Sequence, residues 1–366
     1  MKKYIWIAVL VVVVIIASVY MGEGKKEGGS KIKVGVLLPL SGDFAWWGET
    51  AKNGIELAQK KGIANDFDFI YQDTKCNTKD AVSGTQSLKA LNPSMHLFIV
   101  ACDNDLKAMT PILDKNSDLA FVAGLSGPDL YESEFPIINL SYRLESEAST
   151  VSNFASKQLG LKKLGLILGN NTFGKVLGDS IPKDFANLGG STVVEKIEIN
   201  DLNVESAVLK IMQSKPDGIY IHNNNPSMAA VLKRLDQVGY RGPRIIVYSG
   251  RDQSLIDNAG KSAEGVYVPW VISDSKTDVQ AKFATEYKNA FGKDPFVTSY
   301  FIYDGISLLD ESNKKCNGDA RCIENYFYGK SDFSGVLGNV LYKAGGQTER
   351  AFYFNQVKDG KFVEVR

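Results

Sequence analysis

Beyond residue 30 the chain alternates two kinds of apolar block. Short β-branched runs at 32–38, 67–71, 96–101, 119–123 and 136–140 read as strands. The stretches between them, at 48–61, 78–91 and 105–115, repeat apolar residues at helical spacing. Strand, helix, strand in succession predicts a parallel sheet covered on both faces. The pattern then starts again. Strand runs at 163–168, 191–199, 218–222, 244–248 and 265–269 enclose helical stretches at 174–188, 204–215 and 227–238. Helices return at 278–291, 297–309 and 320–328, followed by two strand-like runs ending at Val365. The reading is two α/β lobes, each a doubly wound parallel sheet, with no residue-level repeat between them.

The first 30 residues follow neither period. Lys2 and Lys3 precede an uncharged apolar run from Tyr4 to Met21, and a Gly/Lys/Glu/Ser tract follows to Ser30. About 18 apolar residues is the lower end of a membrane-spanning helix and longer than the core of a signal peptide. The segment reads as an uncleaved anchor with a cytoplasmic tip and a flexible tether, a cleaved signal being the alternative. The two lysines place the rest of the chain outside the cytoplasm. No cysteine precedes Cys76, which excludes a lipid-modified cysteine behind the apolar run.

Composition narrows the chemistry. The 42 Lys and Arg balance 42 Asp and Glu, so no global positive field is available to hold nucleic acid. Two histidines, His96 and His222, and four cysteines are too few and too scattered for a metal centre or a Ser/His/Asp centre. No cofactor is expected. Gly169-Asn-Asn-Thr-Phe-Gly-Lys175 resembles a phosphate loop until Val176, where Ser or Thr would hold magnesium, and so reads as a turn and helix cap. His96, inside an apolar run, reads as a core histidine, and His222, ending a strand, as structural. Cys76, Cys102, Cys316 and Cys322 suit disulfides in an oxidising compartment. Of the three pairings, the local one is the most economical.

In doubly wound sheets ligands bind beyond the carboxyl ends of the strands, here the loops 39–48, 101–105, 124–128, 169–174, 223–226 and 249–254. Asp103-Asn104-Asp105 opens a helix, where capping and ligand contact both suit it. Trp46 and Trp47 lie off any periodic face and either meet a surface or pack beneath their loop. Tyr300 and Tyr303, one turn apart, read as a core stripe.

The run Ile32-Lys-Val-Gly-Val-Leu-Leu-Pro-Leu-Ser-Gly-Asp-Phe-Ala-Trp-Trp-Gly48, with Asn53-Gly-Ile-Glu-Leu-Ala58, resembles the opening of type I periplasmic solute-binding proteins of the branched-chain amino acid group. The likeness continues through Tyr71-Gln-Asp-Thr-Lys-Cys76, Pro216-Asp-Gly-Ile-Tyr220, Ala259-Gly-Lys-Ser-Ala-Glu-Gly265, Tyr303-Asp-Gly305 and Val357-Lys-Asp-Gly-Lys-Phe362. It implies two lobes joined by three crossovers: residues 31–141 with 271–340, and 142–270 with 341–366. It also implies a Cys76–Cys102 bridge and a solute held between the lobes. The family's two ligand-binding hydroxyls fall on Asp103 and on Ser126, within Gly124-Leu-Ser-Gly-Pro128. An aspartate at the first position departs from the family pattern and would repel a ligand carboxylate. Trp47, Phe173 and Tyr300 match aromatic cleft positions, Asn224 a polar one, and Arg251 and Asp252 stand near the second-lobe acid. The expected function is an extracytoplasmic receptor that binds a small polar solute, first an amino acid, and delivers it to an ABC permease. The alternatives are a receptor for an amide, amine or polyol, or a sensing subunit. No enzyme activity is expected.

Overall fold

The computed structural model describes residues 31–124, 130–131, 134–275, 277–345 and 347–365. The anchor expected over Tyr4–Met21 and the candidate Ser126 lie outside these residues. Among the described residues no helix is long and apolar enough to cross a membrane.

The first half runs β1 (Ile32–Leu38), α1 (Ala45–Lys60), β2 (Phe67–Asp73), α2 (Thr78–Leu91), β3 (Leu97–Val100), α3 (Asp103–Met109), β4 (Leu119–Val122) and β5 (Ile137–Asn139). These five strands form one parallel sheet in the order β2-β1-β3-β4-β5. Apart from the edge strand β2, their near-continuous burial follows from cover on both faces. Val34, Val36, Ile99 and Phe121 face one core, while Leu37, Phe98, Val100 and Val122 face the other. The helix expected over 105–115 stops at Met109, because Pro111 cannot donate the next backbone bond. His96 precedes its strand and is half-buried, with Nδ1 2.8 Å from Asp118 Oδ1. It meets the buried Asp118, which Lys89 also contacts, from the edge of the core, a correction to its reading as a core histidine.

A helix the periodicity did not single out, α4 (Leu144–Asn153), follows and ends in a π-helical turn, Phe154–Gln158. Then come β6 (Lys163–Gly169), α5 (Thr172–Asn187), β7 (Ser191–Ile197), α6 (Glu205–Gln213), β8 (Gly218–His222), α7 (Asn225–Gln237), β9 (Arg244–Ile246), α8 (Gln253–Ala259) and β10 (Tyr267–Trp270). Helices α9 (Asp278–Phe291), α10 (Val297–Cys316) and α11 (Ala320–Gly329) return to the first core, with α10 packed along α1. Two small hairpins follow, β11 (Ser334–Gly335) with β12 (Gly338–Asn339), and β13 (Leu341–Lys343) with β14 (Gln347–Glu349). Finally β15 (Tyr353–Lys358) and β16 (Lys361–Glu364) complete a seven-stranded sheet, order β16-β15-β10-β9-β8-β6-β7, mixed because β15 runs antiparallel to both its neighbours.

The chain thus leaves one sheet after β5, returns after β10 and leaves again after β14. Tyr342, next to residue 341, is buried in the first core against Phe327. Arg350 fastens this region. Its guanidinium donates to the carbonyls of Leu140 (2.7 Å) and Ser141 (3.2 Å) and lies 3.9 Å from the buried Asp304 carboxylate. Thr348 Oγ1 donates to the Asn139 carbonyl beside it. Cys76 pairs with Cys102 and Cys316 with Cys322, with Cα atoms 5.6 and 5.4 Å apart. On the chain-entropy account these bridges stabilise by about 3.5 and about 2 kcal/mol respectively.

Candidate functional site

The carboxyl ends of both sets of parallel strands carry the candidate residues. On the first sheet, α3 begins directly after β3. Its N-cap is Cys102, whose side chain makes no capping bond, so Asp103 and Asp105 occupy the first turn rather than the cap. There they oppose the positive end of the helix. Asp103 Oδ1 accepts the backbone N–H of Asn104 at 2.8 Å, and the side chain is 7% exposed. Asp105 is fully buried beside the Cys76–Cys102 bridge. Burial pushes its carboxyl up to about 6, opposed by the Thr74 hydroxyl and reinforced by the neighbouring charge of Asp103. Cys76, Cys102 and Asp105 are the one trio at metal-ligand spacing among the described residues, and the disulfide engages both sulfurs.

Gly124, just past β4, is where the first rim meets an aromatic wall. A Cβ there would lie 2.3 Å from the Ala101 carbonyl oxygen and 3.0 Å from the Trp47 ring, so the indole rests directly on backbone. Trp47 is fixed from the other side by its Nε1, which donates to Thr298 Oγ1 at 2.9 Å. The Gly124 carbonyl accepts from the buried Ser141 hydroxyl at 2.7 Å. Of the two tryptophans, Trp47 packs beneath the loop and Trp46 is 55% exposed, edge-on to Phe296 at 5.3 Å.

The second rim is built from amides. Asn223, after β8, accepts the backbone N–H groups of Asn200 (3.2 Å) and Asn224 (2.8 Å) and donates to the Glu198 carbonyl (3.1 Å). Asn224 is exposed, and its amide donates to Asn200 Oδ1 at 2.8 Å. Asn170 reaches Glu198, and Asn225 reaches Ser254. The phosphate-loop-like run is a turn and cap. Asn171 Oδ1 accepts from Gly174 N–H at 2.8 Å, and a Cβ at Gly174 would lie 1.9 Å from the Gly169 carbonyl oxygen. Phe173, at the start of α5, leans from this rim onto the first core.

Tyr300 and Arg251 are electrostatic neighbours across the two lobes. Neither side chain is free. Tyr300 is 3% exposed, with its ring 4.5 Å from Phe283, and Tyr303 flanks the same ring at 4.9 Å, so the core-stripe reading describes both. Arg251 Nε donates to Asn355 Oδ1, and its guanidinium lies over Trp270 (4.7 Å) and Phe362 (5.6 Å). These contacts tie it to the edge strands of the second sheet, with its side chain still a quarter exposed. Asp252 caps α8 through Ser254 N–H. His222 is buried, and burial pushes its imidazole down to about 4, which keeps it neutral.

The residues that sequence reasoning missed sit at the first passage between sheets. Tyr142 lies in the passage, and its ring meets Phe352 (4.8 Å) and Tyr248 (6.1 Å) edge-on. Glu147, on α4, is fully buried among Tyr142, Tyr220 and Tyr248. The spacing of Leu144, Ala148, Val151 and Ala155 carries the signal for that helix. Two surface recesses lie away from the rims. One, of about 410 Å³, runs between Tyr131, Pro136 and Tyr328, and the other, of about 440 Å³, between Asn153, Lys157 and Phe352.

Residues 31–361 match a family described as periplasmic binding protein. Leu/Ile/Val-binding protein homolog 2 of Brucella abortus is 21% identical over 345 residues, spanning 90% of this chain and 92% of that one. The leucine-binding protein LivK of Thermotoga maritima superposes with a TM-score of 0.80 at 20% identity, covering 92% of this chain and 98% of its own. An ABC-transporter solute-binding protein of R. palustris, solved with benzoate, superposes at 0.76 with 22% identity and 92% and 95% coverage. The match across both sheets bears out the resemblance read from the opening strand and the Ala-Glu-Gly turn: the chain belongs to the periplasmic binding protein family, among the relatives of the type I branched-chain amino acid binding proteins.

Proposed function

We propose that this chain captures one small polar solute between its two rims, outside the cytoplasm, and hands it to an ABC permease, with an amino acid as the substrate class. The chain remains tethered through Tyr4–Met21, and the lobes divide at the three passages between sheets. The observation that carries the reading is the pairing of unlike rims at the carboxyl ends of the strands, one with Asp103 and the Trp47–Gly124 wall, the other with Asn224 and Phe173. Half a site on each lobe leaves a desolvated solute short of partners until the lobes close. Asp103 directs the solute's ammonium or hydroxyl end to the first lobe, and the amide rim takes the remainder.

The relatives support more than one ligand chemistry, since one is named for leucine and another was solved with benzoate. Calorimetry of wild type and Asp103→Ser against amino acids, amines, amides, polyols and benzoate tests the assignment. Asp103→Ser is expected to weaken the preferred solute by about 1 kcal/mol or more, the scale of a lost charge-assisted hydrogen bond. Unchanged or tighter binding would reverse the solute's orientation, and no saturable binding to any of the panel would remove the receptor reading. Mass spectrometry of the mature N-terminus checks the tether, which a start beyond residue 20 would refute.

A further inference from the structure

Glu147 is a buried acid that the solute site does not use. Its Oε1 accepts the backbone N–H of Tyr248 at 3.1 Å and the Tyr220 hydroxyl at 3.3 Å. Its Oε2 is buried and makes no hydrogen bond among the described residues. The residues around it come from three places. Tyr142 belongs to the first core, Tyr220 to β8, and Tyr248 to the turn after β9 that packs against both cores. Tyr142 and Tyr248 meet edge-on at 6.1 Å, so an aromatic contact between the cores covers the carboxyl.

Such a pocket tolerates a neutral acid better than a carboxylate. Glu147 is in none of the ion pairs among the described residues, and the neutral dipoles around it compensate a full charge only in part. We propose that docking of the Tyr248 turn against Tyr142 takes up a proton at Glu147, so that mild acid favours the closed arrangement of the lobes and alkaline solution loosens it. The inference rests on the reading of two lobes that close. Once the turn swings away, water reaches the carboxyl and the charged form recovers its hydration.

Burial agrees in direction, pushing the Glu147 carboxyl up to about 7 against the opposing bonds from Tyr248 and Tyr220. The titratable groups that face it are the phenols of Tyr142, Tyr220 and Tyr248, all pushed above the ordinary phenol range, first by burial and then by the Glu147 charge. On its own segment Glu145 is engaged with Arg143. Nearby, His222 stays neutral through the same pH range. Glu147 is therefore the group in this cluster that changes charge near neutrality. Proton uptake on docking requires, by linkage, that docking weaken as pH rises through the carboxyl's docked value, by at most tenfold per pH unit for one proton.

Hydrogen exchange by mass spectrometry on the peptide spanning residues 244–252 of the full-length chain, without solute, reads the docking directly. After correction for intrinsic exchange, protection in wild type is expected to fall at least fivefold between pH 5.5 and 8.5. Glu147→Gln, neutral throughout, is expected to show a flat course. Tyr220→Phe, which loses a donor that favours the charged form, is expected to keep the course with its midpoint at or above that of wild type. A flat wild-type course, a Glu147→Gln course that matches wild type, or a Tyr220→Phe midpoint below wild type would each overturn the proposal. Solute is not needed for any of these readings. A chain that binds nothing yet keeps the pH course overturns the receptor reading and leaves this one standing.

Discussion

The two rims are built on the same strand-to-helix plan and differ in chemistry. The first is stapled and charged: a disulfide joins the loops after β2 and β3, and Asp103 and Asp105 sit in the turn behind it. The second has no disulfide and is knitted from asparagine side chains that bond one another's backbone and amides. A carboxylate offers only acceptors, whereas an amide offers both donors and acceptors in one neutral group. The first rim therefore presents charge on a covalently held loop. The second presents neutral donors and acceptors held by one another.

The largest expected difference lies in the staple. Replacing Cys76 and Cys102 together by alanine is expected to cost about 3.5 kcal/mol in denaturant unfolding, against about 2 kcal/mol for the Cys316 and Cys322 pair. Equal losses would show that loop length is not what separates the two bridges. On the amide side, Asn223→Ala leaves two backbone donors and one carbonyl without their partner. It is expected to cost about 2 kcal/mol by the same measurement. A loss near zero would mean that water replaces the network and that the second rim is not held by it.

A subtler, pH-graded effect separates the rims further. Asp105 in the folded chain holds its proton to about pH 6, above its ordinary 3.8, because burial disfavours the charge. Between those values the unfolded chain has released the proton and the folded chain has not. Stability therefore falls as pH rises through that window and is level on either side of it. Asp105→Asn should flatten the pH 4–6 segment of a thermal-midpoint profile, while any slope contributed by Glu147 continues toward pH 7. An unchanged profile would show that the carboxyl is hydrated in the folded state. The smallest change is Asn224→Ala on the exposed edge, expected to move stability by less than about 0.5 kcal/mol, so that any larger effect on solute affinity reports contact rather than folding.

The strands were legible because residues buried on both faces carry an apolar signal that needs no context. Phe98, Ile99 and Val100 could hardly be anything else. Helix α4 carries only a faint apolar signal, at Leu144, Ala148 and Val151. Its polar content is high (Glu145, Ser146, Glu147, Ser149, Thr150, Ser152 and Asn153), and its start at Arg143 has no side-chain cap to announce it. The same helix hides Glu147, whose burial depends on tyrosines 73 and 101 residues further along the chain. Arg251 shows the converse. Its position in the right loop suggested ligand contact, but its orientation is set by Asn355, 104 residues away, a pairing that no local pattern encodes. The pairing of Cys76 with Cys102 was readable from the family resemblance and the economy of local pairing; the bridged loops follow β2 and β3, which flank β1. What the sequence left dark were side-chain directions settled by residues 73 to 104 positions further along the chain.

The Arg350 clamp has a consequence for the order in which the molecule is made. The first passage between the sheets, at Leu140 and Ser141, is held by a guanidinium that enters the chain some two hundred residues later. During synthesis from the N-terminus, or threading through a membrane in the same direction, the first sheet's strands are complete long before that clamp exists. Until residue 350 emerges, the Leu140 and Ser141 carbonyls lack that donor and the Asp304 carboxylate lacks its neighbouring cation. The nascent chain is thus held short of its final form through most of its emergence, and the last twentieth of the sequence completes it.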